Sequence, residues 1–205
     1  VVHVTSTWTG PTDTWQGRKV VVMPDGYVIP PTLSADGETE FAGVQTRIVT
    51  LENLSGSGSV IHYTLDGSTP TEESPIYTAP LEIVPAEGEA ITIKAVSVKG
   101  GVNSDVAELS VRRIPYTYNY IDNGDGTVTL SKWDEWGNWI GNGVTPSPVG
   151  EFTVPDEIDG KLVVAIIGEF FSSCSEMTSV FIPASVESIG PYAFGYCSNL
   201  ATVTF

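Results

Sequence analysis

Residues 61–71 read Ile61-His62-Tyr63-Thr64-Leu65-Asp66-Gly67-Ser68-Thr69-Pro70-Thr71. Ile61, Tyr63 and Leu65 alternate with His62 and Thr64, the period-two signature of a strand with two unlike faces. Asp66-Gly67 then supplies a residue that tolerates positive φ, and Pro70 has no amide with which to continue a ladder. Working outward, Pro75-Ile76-Tyr77, Leu81-Glu82-Ile83-Val84, Ile91-Thr92-Ile93-Lys94-Ala95 and Val106 to Val111 are further short apolar or β-branched runs, and Gly100-Gly101 makes another turn. Short strands at regular spacing, with turn signals between them, predict an all-β sandwich over residues 29–113.

The composition of the chain agrees. Its 205 residues suit one to two domains with a real core. With 21 Gly, 14 Pro and only 17% charged residues, it favours short strands and tight turns over amphipathic helices. Nine Lys and Arg stand against 25 Asp and Glu, a formal net charge of −16. A polyphosphate or an anionic lipid surface is repelled by such a chain, so neither nucleic acid nor membrane binding is expected. The acidity serves solubility or, alternatively, a Ca²⁺-holding surface. The longest apolar run, Leu162 to Ile167, has the length of one buried strand and falls far short of the ~20 residues that span a bilayer. The chain opens on Val1 without a signal peptide, which predicts a processed or recombinant fragment.

Residues 1–28 hold two strand-like runs, Val1–Trp8 and Lys19–Met23, separated by Gly10-Pro11-Thr12-Asp13. They form a hairpin or complete a neighbour's sheet. Residues 114–205 read differently. Tyr116, Tyr118 and Tyr120 alternate, Asp122-Asn123-Gly124-Asp125-Gly126 turns, and Val128 and Leu130 return, a predicted hairpin. A Trp-rich segment follows, and then an internal repeat. Phe171, Cys174, Met177 and Val180 recur at one constant interval as Phe194, Cys197, Leu200 and Val203. Ile167-Gly168 recurs as Ile189-Gly190, one position short of that interval, which places a one-residue insertion before Phe194. Val154-Pro155 and Ile182-Pro183 also correspond. A period in the low twenties belongs to leucine-rich repeats. Helix is expected only as short turns near Glu169–Phe171 and Tyr192–Phe194.

Two resemblances follow from these residues. The Ile61–Thr71 string, with Ser74-Pro75-Ile76-Tyr77, Ile93-Lys94-Ala95 and Gly101-Val102-Asn103-Ser104 in order, resembles the chitobiase/β-hexosaminidase C-terminal-like domain. That implies an immunoglobulin-like sandwich, accessory to enzymes and surface proteins and not itself catalytic. Ile182-Pro183-Ala184-Ser185-Val186-Glu187-Ser188-Ile189-Gly190-Pro191-Tyr192-Ala193-Phe194, then Cys197-Ser198-Asn199-Leu200, resembles the BspA-type leucine-rich repeats of bacterial surface antigens. The departure is length, since only one full repeat and most of a second are present. The resemblances together imply an extracellular or cell-surface location.

Catalytic motifs are missing: no G-x-S-x-G, no Walker loop, no H-E-x-x-H. His3 and His62 are the only imidazoles and neighbour no nucleophile, so no enzyme, metal or cofactor is expected. The carboxylate clusters Glu72-Glu73, Asp134-Glu135 and Asp156-Glu157 read as turns. The Asp122–Gly126 loop fails the one-three-five ligand pattern of an EF-hand. Trp133, Trp136 and Trp139 bring three of the five tryptophans into one short segment. They either cap the open end of the repeat stack or stack on sugar rings or a partner. Cys174 and Cys197 hold equivalent repeat positions, about 4.8 Å apart along a stack. That is within disulfide reach, but parallel side chains favour reduced, buried thiols. The function expected is a non-catalytic extracellular binding or adhesion module recognising glycan or protein. A structural spacer or assembly component of a cell surface, appendage or virion is the alternative, and an accessory module of a glycoside hydrolase a further one. Val203-Thr204-Phe205 aligns with Val180-Phe181-Ile182, so the chain stops on a repeat strand. Either the array is cut there or the open end docks another subunit, with head-to-tail self-association through Val1–Trp8.

Overall fold

A computed structural model describes residues 2–5, 14–15, 18–43 and 45–205. The described residues contain strands and turns and no helix. They divide into two compact units, one of residues 1–39, 46–85 and 90–112 and one of 40–45, 86–89 and 113–205.

The strands of the first half of the chain are β1 (Val2–Thr5), β2 (Thr14–Trp15), β3 (Arg18–Met23), β4 (Thr32–Ala35), β5 (Glu40–Phe41), β6 (Arg47–Glu52), β7 (Ser59–Thr64), β8 (Leu81–Ile83), β9 (Ala90–Lys99), β10 (Val102–Asn103) and β11 (Ala107–Arg113). One antiparallel sheet runs β4-β6-β8. In another, β9 takes β10 and β11 in succession along one edge and β7 on its other edge, all antiparallel. Val49, Leu51 and Ile83 from the first sheet, and Ile61, Ile93, Ala95 and Val111 from the second, form the apolar interior. In β6 the alternation is clean: Val49 and Leu51 are buried, Thr50 and Glu52 exposed. This is the all-β sandwich expected from the sequence. Gly100 and Gly101 take φ of 57° and 76° and let Lys99 pair with Val102 across a tight turn.

The decisive string behaves as read up to Thr64, where β7 ends. Gly67 sits at φ 75°, and Asp66 Oδ1 accepts bonds from the Ser68 amide at 3.0 Å and its hydroxyl at 2.6 Å, locking the turn. His62 breaks the simple alternation, for it is buried beside Ile61. The reason is the segment Ser74–Tyr77, which runs along the free edge of β7. Tyr63 N–H donates to Pro75 O at 3.0 Å, Tyr77 N–H donates to Ile61 O at 2.8 Å, and the His62 ring Nδ1 lies 2.7 Å from Ser74 O.

Near the N-terminus, β1 and β3 pair in parallel, Val2 opposite Val20, and β2 pairs antiparallel to β3. The runs at Val1–Trp8 and Lys19–Met23 are therefore not a hairpin. An apolar run carries no record of strand direction, and a parallel pair needs a longer connection than a tight turn. Gly10–Asp13, together with Val1 and Ser6–Trp8, lies outside the described residues.

The second half of the chain carries β12 (Thr117–Tyr118), β13 (Tyr120–Asp122), β14 (Thr127–Leu130), β15 (Val144–Thr145), β16 (Gly150–Thr153), β17 (Glu157–Ile158), β18 (Lys161–Ile166), β19 (Met177–Phe181), β20 (Ser188–Ile189) and β21 (Thr202–Thr204). Two parallel ladders make a stack of coils: β14-β18-β20 and β16-β19-β21. The first coil runs from β14 to β16, the second from β18 to β19, the third from β20 to β21. The hairpin β13–β14 forms as read, Tyr120 opposite Leu130. Coil stacking buries Val128, Leu130, Phe152, Val154, Val163, Ile166, Phe170, Phe171, Met177, Val180 and Ile182. The Phe171 and Phe194 rings stack with centroids 5.2 Å apart and planes 2° from parallel.

The repeat is more regular than its sequence. Ile166, not Ile167, is the partner of Ile189, so strands and turns alike repeat at the interval that separates Cys174 from Cys197, and no insertion is needed. Positive φ recurs at the same interval, at Glu169 and Tyr192 and again at Ser173 and Tyr196. Ile167-Gly168 and Ile189-Gly190 are therefore alike in sequence but not equivalent in the stack. These left-handed residues also explain the missing helical turns: residues 168–173 and 191–196 fold as hydrogen-bonded turns, and an αL residue every four positions stops α-helix from propagating.

Candidate functional site

In the second and third coils, residues 167–176 and 190–201 carry the chain from one ladder to the other. The first coil does the same with residues 131–149, and the extra length folds as a small hairpin. Ile140 N–H donates to Lys132 O at 2.8 Å, Trp133 and Trp139 face each other across an antiparallel bridge, and Asp134 N–H donates to Asn138 O at 2.9 Å. Gly137 closes the tip at φ 80°. One carboxylate holds the loop. Asp134 Oδ1 accepts the Trp136 amide at 3.0 Å and the Asn138 amide at 2.7 Å, while Oδ2 accepts Asn138 Nδ2 at 2.9 Å. The Asn138 side-chain bond, with the backbone amides, holds this carboxyl below the usual range. At the base, Ser131 is fully buried and bonds both the amide and the carbonyl of Trp133.

The three tryptophans are thus brought together, but unequally. Trp133 is half-buried, whereas Trp136 is 78% and Trp139 66% exposed. Neither outer ring caps the coil stack. The rings packed against the stack core near its first coil are instead Tyr116, Tyr118 and Tyr120. Tyr116 meets Phe152 edge-on at 5.1 Å, and burial pushes the Tyr118 hydroxyl well above its ordinary pKa. The sequence showed their alternation but not this use.

A cleft of about 220 Å³ opens beside Trp136, lined by Tyr120, Asp122, Asp134, Glu135 and Ile140. Its far wall is fixed by an ion pair between Lys161 and Asp122 and by Tyr120, whose hydroxyl donates to Asp159 Oδ2 at 2.5 Å. The Lys161 bond, seconded by the Gly124 amide, lowers the pKa of Asp122. Tyr120 and Asp122 join the tryptophans only through folding. Tyr120 lies on β13, a strand and a turn before the hairpin, and no motif links it to Trp136.

The other candidate residues are locally occupied. In the Asp122–Gly126 loop, Asp122 Oδ1 accepts the Gly124 amide at 3.0 Å, and Asp125 Oδ1 accepts the Thr127 amide at 3.1 Å and hydroxyl at 2.6 Å. These lone pairs serve the turn. Among the described residues no three His, Cys, Asp or Glu side chains group as metal ligands. Cys174 and Cys197 are free thiols. Burial, with Cys197 alongside, pushes the Cys174 thiol up to about 11, and Cys197 Sγ donates to Phe171 O at 3.0 Å. Such thiols pack as small hydrophobes and react slowly.

Comparison with known proteins agrees with this two-part architecture. Residues 40–108 match the model of the chitobiase/beta-hexosaminidase C-terminal domain, and residues 163–205 match that of the BspA type leucine rich repeat region. Both are accessory or repeat modules, of kinds that suggest a surface protein. No curated protein matches the chain. Among the described residues no helix is long and apolar enough to cross a membrane.

Proposed function

We propose that the chain is a non-catalytic binding module of an extracellular or cell-surface protein, and that the 132–140 hairpin presents its ligand-contacting rings. The supporting observation is the pair of exposed indoles, Trp136 and Trp139, on a turn fixed by Asp134. A tryptophan offers roughly 150–250 Å² of apolar surface. At about 25 cal/mol per Å² of apolar area buried, leaving two of them in water forgoes several kcal/mol of folding energy. The fold has no need of these rings, and a rigid platform for stacking does. Trp133 anchors the platform from its half-buried position.

Neutral glycan is the ligand that suits the surroundings best. Pyranose faces stack on indoles, sugar hydroxyls donate to the Glu135 carboxylate, and Asp134, engaged within its turn, adds negative charge. The same carboxylates repel sialylated or sulfated sugars. A protein ligand is the second reading, because exposed tryptophans also serve as anchors at protein interfaces. A printed array holding neutral and anionic oligosaccharides, probed with the fluorescently labelled full chain, tests the reading. Retention on neutral hexose or N-acetylhexosamine oligomers is expected. No retention on any neutral sugar at high protein concentration would overturn it.

A further inference from the structure

A second aromatic surface lies on the third coil. Tyr192 and Tyr196 are 76% and 88% exposed, and with Glu169, Ser172, Ser173 and Gly195 they line a groove of about 250 Å³. Their exposure is not a property of the last coil. The equivalent positions one repeat earlier, Glu169 and Ser173, are exposed too although the third coil is stacked on theirs. By contrast Phe194, Leu200 and Val203 correspond to Phe171, Met177 and Val180, all buried. The turn positions of the second coil therefore face solvent although the third is stacked on it, while its core positions do not.

The backbone sharpens the point. Tyr192 and Tyr196 hold φ of 57° and 61°, a region that disfavours bulky side chains and that glycine occupies freely. Glu169 and Ser173 take the same conformation one repeat earlier, so the turn asks for the left-handed φ but nothing in it asks for an aromatic ring. Two large rings in strained positions, both left in solvent, need a reason outside the fold. The groove they line has one charged wall residue, Glu169, in a chain of net charge −16. Lys132 is turned onto the Ser172 hydroxyl at 2.9 Å and lines the adjoining cleft. Aromatic faces and a carboxylate around one opening attract a cation, by ring quadrupole and by charge.

We propose that the Tyr192–Tyr196 groove binds a cationic side chain, arginine or lysine, presented by a basic segment of a partner protein. The surface stands independently of the tryptophan hairpin and of any glycan. The test uses the full chain at constant ionic strength. Its probes are a short acetylated Gly-Arg-Gly amide peptide and the same peptide with neutral citrulline in place of arginine. Amide NMR shifts of residues 169–173 and 192–196 follow binding. The arginine peptide should bind at least fivefold more tightly than the citrulline peptide. Tyr196→Ala and Glu169→Gln should each weaken it at least fivefold with the melting temperature held, and Tyr196→Phe should keep it. Equal shifts from the two peptides would overturn the proposal, as would arginine binding that survives either Tyr196→Ala or Glu169→Gln.

Discussion

At the residue scale, the same side-chain type takes opposite parts according to where the coil puts it. Trp133 is wedged at the base of its hairpin, and Trp136 stands in water. Truncating a fully buried tryptophan costs about 3–5 kcal/mol, so Trp133→Ala, from a half-buried site, should cost about half that. Trp136→Ala should fall within about 0.5 kcal/mol of the parent. Thermal melts of the two variants check the contrast, and equal melts would mean that the hairpin base is not packed. The strained tyrosines invert the usual expectation. Tyr196→Gly releases an αL penalty of about 1–2 kcal/mol and loses about 0.5–1 kcal/mol to unfolded-state entropy, so its melting temperature should hold or rise slightly. A clear fall would show that the ring contributes to folding. Cys174 sets a pH limit. Its thiol is raised from 9.0 to about 11 in the fold, so the native state holds that proton more tightly than the unfolded chain does. The stability it lends is complete below about 9 and is lost as pH rises through about 11. Tyr118, raised by burial, acts in the same direction at higher pH. Denaturant midpoints at pH 8 and pH 10.5 should therefore differ, the alkaline one lower.

At the element scale, the coil is the unit of cohesion. Gly190 allows a close approach between coils: a Cβ there would lie 2.5 Å from Gly168 N, a backbone atom that cannot swing aside. Gly190→Ala should cost about 1–3 kcal/mol by overpacking, and an unchanged denaturant midpoint would contradict the stacking described. What the sequence made legible follows from the same physics. Strands with one buried face, such as β6, declare themselves by alternation, and the period of the coil survives as recurring Phe, Cys and Val. Less legible were features fixed by partners distant in sequence. His62 is buried because Ser74–Tyr77 covers β7, the β1–β3 pair is parallel, and the Ile166–Ile189 register differs by one position from the one suggested by the glycines. The tryptophan cluster was visible as composition, but whether its rings faced core or water depended on the Asp134 turn. Tyr192 and Tyr196 were invisible as a site, because a positive φ leaves no mark on a tyrosine.

At the scale of the whole molecule, a charge of −16 bears on every encounter. Binding of neutral glycan at the hairpin should be insensitive to ionic strength. Binding of a basic segment at Tyr192–Tyr196 should weaken as salt shortens the Debye length from about 10 Å at 0.1 M to about 3 Å at 1 M. The central claim is that this chain binds through rings its fold does not need. The most direct test pairs two readings on Trp136→Ala/Trp139→Ala: the melting temperature, and the calorimetric affinity for whichever neutral oligosaccharide the parent chain retains best on the array. The account predicts an unchanged melt and an affinity lowered at least tenfold. A melt that falls by many degrees, or an affinity equal to the parent's, would contradict it.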